Sequence, residues 1–250
     1  MKLNFRKTGS GEPLIILHGL FGSADNWFSI AKELEKDFTL YLVDQRNHGD
    51  SPDLNPPYVS FGNSEYKDVL GAVDYLENRF GASAIANLGL FGVSMGGAVS
   101  IVAYQNDDRF KALFADSPAC DVYSILVHGA SEVIGPMTSS ILGGGCTIHG
   151  TSNGCAPFTN DPLKSSGKLI DRPIHFDHCY SDSVVPIESS KTCMAAIERV
   201  NTVSHSHISR HYGYSNITSQ CTNHVILMLT ETDQYEERLL GFFNKYLKNN

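Results

Sequence analysis

The sequence predicts an α/β fold in which a mostly parallel sheet carries helices on both faces, and three observations lead there. Short continuous apolar runs, LIIL at 14–17, FTLYLV at 38–43 and FKALFA at 110–115, have the length and composition of strands covered on both sides. Segments with apolar residues at helical spacing alternate with these runs, which implies right-handed βαβ units. The stretch 87–100, NLGLFGVSMGGAVS, reads as strand, sharp turn and helix in direct succession.

Taken in order, 2–7 (KLNFRK) alternates in polarity as an edge strand does, and a Thr-Gly-Ser-Gly turn leads to the first buried run. That run ends at His18-Gly19-Leu20-Phe21-Gly22, after which Asp25 can cap a helix to about Lys36 with Trp27, Ile30, Ala31 and Leu34 on one side. The strand at 38–43 runs into the polar turn 44–51 (DQRNHGDS) and a loop bearing Pro56 and Pro57. Val69, Leu70, Val73 and Leu76 predict a helix over 64–79, and a helix over 96–104 follows the sharp turn. Near the end, RPIHFDH at 172–178 reads as a strand, 187–200 as a helix, and 233–246 as an amphipathic helix with Tyr235, Leu239, Leu240, Phe243 and Tyr246 inward.

At 250 residues, with 42% hydrophobic and 18% charged residues, the chain is long enough for a sizeable core and is expected to form a single domain, 1–250. Its net charge of −8 repels phosphate backbones, so nucleic acid is not an expected partner. The start, MKLNFRKTGSGEP, has no apolar leader, and no window approaches the ~18 apolar residues that span a bilayer. A cytoplasmic location is therefore expected, and with it six reduced cysteines, Cys146 and Cys155 being the one pair worth checking. From 119 to 169 the periodicity fails, and Gly143, Gly144, Gly145, Gly150 and Gly154 interrupt it. This is read as a lid-like or irregular excursion within the domain.

The chemistry centres on Gly92-Val93-Ser94-Met95-Gly96. A serine in such a turn is thrust above the end of a sheet, and its strained φ crowds the positions two before and two after it, both glycine here. The Met95 N–H lies at a helix N-terminus, where an orphan donor and the helix dipole favour an anion. A second match to the pattern, 150–154 with Ser152, has no strand before it and no helix after it, and reads as loop.

Together, LHGLFGSADNW, VDQRNHGDS and GVSMGG resemble the α/β-hydrolase superfamily. The first two look like the N-terminal half of its small bacterial esterases. The elbow, with ADSP after it, looks like the dienelactone-hydrolase and prolyl-oligopeptidase-like branches. The resemblance implies a serine carboxylic ester hydrolase with Ser94 as nucleophile, Asp182 as acid, His224 as base, and the N–H groups of Leu20 and Met95 as oxyanion hole. The order serine, acid, histidine holds for these positions. Asp116 and Asp177 compete for the acid, and His205, His207 and His211 for the base. His18 and His48 read as structural. A small-molecule ester of small to medium acyl size is the implied substrate, with no cofactor and no metal. A thioesterase, a prolyl-type peptidase, an acyltransferase and a catalytically idle binding protein remain open beside it.

Overall fold

The computed structural model describes residues 2–55, 59–122, 125, 162–166, 172–179, 182–200, 224–225, 227–230 and 232–248. Its strands are β1 (Phe5–Gly9), β2 (Glu12–Leu17), β3 (Phe38–Val43), β4 (Leu88–Val93), β5 (Phe110–Asp116) and β6 (Ile174–Asp177). They form one sheet in the order β1-β3-β2-β4-β5-β6, antiparallel only at β1 and parallel elsewhere. Helices at Phe28–Leu34 and Met95–Asn106 carry the chain from β2 to β3 and from β4 to β5, and the C-terminal ends of the parallel strands gather at one edge.

Alternation within the buried strands divides the core in two. Ile15 and Leu17 of β2, with Tyr41 and Val43 of β3, face α2 (Tyr66–Phe80), α3 (Met95–Asn106) and a helix at Glu188–Val200. Leu14 and Ile16, with Leu40 and Leu42, face α1 (Phe28–Leu34) and a helix at Thr232–Phe243. Helices thus cover both faces, as the continuous apolar runs require. Each fully buried Leu or Ile contributes about 2 kcal/mol by leaving water, and β2 alone has four side chains at 0% exposure.

The helix expected over 25–36 is divided. A 3-10 turn, Ala24–Trp27, precedes α1, because Ser23 and Asn26 form a reciprocal capping box that tightens the entry. The expected strand 172–178 is confined to Ile174–Asp177. The excursion expected over 119–169 contains a short helix, α4 (Pro162–Ser166), packed between α3 and the helix at Glu188–Val200, which we call α5. Five residues, PLKSS, are too few to show a helical period. A helical turn, α6 (Leu227–Thr230), precedes the last helix, α7 (Thr232–Phe243), which continues as a π-helical turn, Asn244–Lys248.

The cysteine expectation is corrected. Cys120 and Cys193 form a disulfide with Cα atoms 6.1 Å apart, and among the described cysteines none is a free thiol. The pair joins the chain just past β5 to α5 across a separation of 73 residues, which no local spacing could reveal. Cys146 and Cys155 lie outside the described residues. Among those residues no helix is long and apolar enough to cross a membrane.

Candidate active site

Ser94 joins β4 to α3 at φ 54° and ψ −118°, a conformation that costs a side-chain-bearing residue about 1–3 kcal/mol. Three backbone hydrogen bonds hold it there. Its N–H donates to the Asp116 carbonyl at 2.8 Å, and its carbonyl accepts from the N–H groups of Ala98 at 3.0 Å and Ala119 at 3.3 Å. The flanking glycines are sterically required: a Cβ on Gly92 would sit 2.3 Å from the Gly96 carbonyl oxygen, and one on Gly96 would sit 2.3 Å from the Leu17 carbonyl oxygen. That close approach seats the N-terminus of α3 on the end of β2. Met95, as the first residue of α3, has an N–H with no partner within the helix.

The segment after β2 runs against the serine, for a Cβ on Gly19 would lie 3.2 Å from the Ser94 Cβ. His18 fixes this segment. Its Nε2 accepts from the Gln45 N–H at 3.1 Å, so the ring proton is on Nδ1, which lies 2.8 Å from the Gly19 carbonyl. That arrangement needs a neutral imidazole, and burial, opposed by the Gly19 hydrogen bond, pushes the His18 pKa down. Gln45 donates back to the His18 carbonyl at 2.6 Å. Asp44 clamps the same region by accepting from the Ala24 N–H at 2.7 Å, the Asp50 N–H at 3.1 Å and the Asn4 side chain at 2.8 Å. His48 bonds the Arg46 carbonyl through Nδ1 at 2.8 Å. Both motif histidines are thus occupied with loop backbone, and Leu20 lies in the loop so anchored.

Beyond β6, Asp182 is buried in a turn that closes on its own side chain. Oδ1 accepts from the N–H groups of Val184 and Val185, both at 2.9 Å, and Oδ2 lies 2.6 Å from His224 Nδ1. Burial would push this carboxyl up, but hydrogen bonds from His178 and His224 outweigh it and hold the group well below the usual carboxylate range. The Nε2 of His224 is buried and has no partner among the described residues.

The rival acids are engaged elsewhere. Asp116 accepts from Ser117 Oγ and from the Tyr235 hydroxyl, each at 2.8 Å, while Asp177 bonds Arg238 at 2.9 Å. Tyr235 and Arg238 both belong to α7, so these two buried carboxylates, paired in register across β5 and β6, anchor the last helix. Of the rival bases, His205, His207 and His211 lie outside the described residues, as does Ser152.

Sequence reasoning passed over His178, the residue directly after β6. It is buried, with Nδ1 2.7 Å from Ser190 Oγ, Nε2 2.9 Å from the Val185 carbonyl and 3.4 Å from Asp182 Oδ2. It braces the acid turn from below. The only available signal was its position, a histidine at a strand end four residues before the candidate acid.

A strained serine at a strand-to-helix turn above a mostly parallel sheet, with an aspartate-bearing turn after the following strands, is the arrangement of the α/β-hydrolase fold, and this chain has that fold. Residues 12–132 match the family described as alpha/beta hydrolase fold. Among curated proteins the chain is 33% identical over 134 residues to esterase YbfF of Escherichia coli, covering 51% of this chain and 49% of that protein. It is 36% identical over 99 residues to the sn-1-specific diacylglycerol lipase ABHD11 of Danio rerio, covering 39% and 28%. The chain thus matches about half the length or less of these relatives. Among solved structures, the Pyrococcus furiosus esterase Pf2001 superposes with a TM-score of 0.71 at 17% identity, covering 98% of this chain and 93% of that one. At that identity the likeness is one of fold.

Proposed function

We propose that the chain is a serine carboxylic ester hydrolase in which Ser94, His224 and Asp182 act together. The observation that carries this reading is the 2.6 Å contact between His224 Nδ1 and Asp182 Oδ2, which leaves the buried Nε2, without a partner among the described residues, to receive a proton. The Asp182 contact fixes the tautomer: with Nδ1 protonated toward the carboxylate, Nε2 carries the lone pair. Ser94 Oγ attacks the acyl carbonyl as Nε2 takes its proton, and the N–H groups of Leu20 and Met95 receive the developing oxyanion. The imidazolium then gives that proton to the departing alkoxide, leaving an acyl-enzyme. Water, deprotonated by the same nitrogen, attacks it, and the imidazolium returns that proton to the departing Ser94 Oγ as the acid is released. The depressed Asp182 carboxyl stays ionised throughout and stabilises the imidazolium.

The substrates would be small to medium acyl esters, a reading that rests on the apolar residues of the excursion, such as Ile125 and Ile141, and on the scarcity of basic residues there. A fluorophosphonate probe should label Ser94, and Ser94→Ala should lose on the order of 10³-fold or more in kcat toward p-nitrophenyl esters while abolishing labelling. Across a p-nitrophenyl series kcat/KM should rise from acetate to butyrate or hexanoate and then fall, each buried CH₂ adding about 0.8 kcal/mol until the wall is met. Labelling at Ser152, or preferential cleavage of p-nitroanilides, would overturn the assignment.

A further inference from the structure

A cleft of about 370 Å³ opens between the outer edge of the sheet and α2, built from β1, β3 and one face of that helix. None of its lining belongs to the segments that carry Ser94, Asp182 or His224. Its walls are apolar: Phe5, Ile15, Tyr41, Val43, Tyr75 and Leu76. Phe5 stands 6.0 Å, centroid to centroid, from both Tyr41 and Tyr75, and the outer two of these three rings remain 36% and 49% exposed. Partly exposed aromatics around a concave opening are what a site for an apolar body presents.

The helix supplies a second observation. Gly71 lies inside α2, where glycine costs about 1 kcal/mol relative to alanine. Packing does not demand it, because a Cβ there would meet nothing within 4 Å. What the missing side chain provides is the open width of the cleft.

Charge gives the third. Lys2 and Lys67 line the cleft, and neither has a carboxylate partner among the described residues. The one acidic lining residue, Asp68, is held by Arg46 through both carboxylate oxygens, at 2.5 and 2.7 Å, so its charge is already matched. In a chain of net charge −8, a concave apolar surface edged by two unmatched ammonium groups selects an anion with an apolar tail. We infer that this cleft, separate from the candidate active site, is a binding site for a medium-chain carboxylate. The tail lies against Phe5, Tyr41 and Leu76, and the carboxylate meets Lys2 and Lys67.

Calorimetric titration of the full chain with octanoate and with 1-octanol tests this. Wild type should bind octanoate at least tenfold more tightly than the alcohol. Gly71→Leu, whose Cβ meets nothing within 4 Å and whose longer side chain would occupy the cleft, should weaken octanoate at least tenfold while its circular dichroism and Tm show an intact fold. Lys2→Gln with Lys67→Gln should make the acid and the alcohol equal, and because both lysines are exposed this pair decides the matter should Gly71→Leu misfold. Three outcomes overturn the inference: no saturable heat with wild type, octanoate affinity unchanged in a folded Gly71→Leu or in the lysine pair, or a wild-type dimer in sedimentation that Gly71→Leu dissolves. The last would mean that a second copy of the chain fills the cleft.

Discussion

His224 Nδ1 lies 2.6 Å from Asp182 Oδ2 although 42 residues separate them. The two partners are held unequally. The Asp182 side chain is fully buried and already accepts from two backbone N–H groups, whereas the His224 side chain keeps 18% exposure. The carboxylate is the fixed member, and the imidazole is oriented by it.

Asp182→Asn should therefore lower kcat toward p-nitrophenyl butyrate on the order of 10⁴-fold, by allowing the wrong tautomer, with KM nearly unchanged. Its linkage to stability has a definite sign. The folded pKa lies below the ordinary value of about 3.9, so the contribution is fully present above that pH and lost as pH falls below it. Acid titration followed by circular dichroism should show the wild-type loss below about pH 4 reduced in Asp182→Asn.

Alanine scanning separates the histidines. Replacing His205, His207, His211 and His224 one at a time should leave only the last variant inactive toward esters, with a loss on the order of 10³-fold or more. Wild-type kcat in His224→Ala would reassign the base.

Glycines of opposite environment should respond oppositely. Gly96→Ala places a Cβ against two backbone carbonyl oxygens, at 2.3 and 2.5 Å, neither of which can move without displacing β2 from α3. It should cost about 3 kcal/mol or more and depress soluble yield. Gly241→Ala in α7 meets nothing within 4 Å and should gain about 1 kcal/mol, read as a rise in Tm.

The buried pair at the ends of β5 and β6 predicts a second pH dependence. Burial first, and then the neighbouring Asp116 carboxylate, push Asp177 up to about 7 despite Arg238. A raised carboxyl favours the folded state below its unfolded pKa of about 3.9, and that advantage is lost as pH rises to about 7. The Tm of Asp177→Asn minus that of wild type should accordingly increase between about pH 4 and pH 7 and level off above. A difference independent of pH would show that Asp177 is ionised throughout.

What was legible in the chain follows from how local each signal is. The strand at Phe38–Val43 and the turn at Ser94 are written in consecutive residues, because burial on both faces and a crowded backbone each restrict their own neighbourhood. The contact between Asp182 and His224 was reachable only through the family resemblance, which singled out both residues among several rivals. His178, the Asp116–Tyr235 and Asp177–Arg238 contacts, and the Cys120–Cys193 bond arise only when distant segments meet, so residue type and spacing carry no trace of them. The cleft beside α2 left one mark, a glycine inside a helical pattern, which by itself says nothing about what surrounds it.

The Cys120–Cys193 bond makes the intervening chain a closed covalent ring in which Asp182 lies. A single proteolytic cut within that ring, between 120 and 193, would leave two fragments that migrate as one on a non-reducing gel and part only under reductant. Ser94 and the segments that carry Asp182 and His224 would then stay tethered after cleavage, so a nicked chain can keep these residues together where an unbridged chain would release half of them.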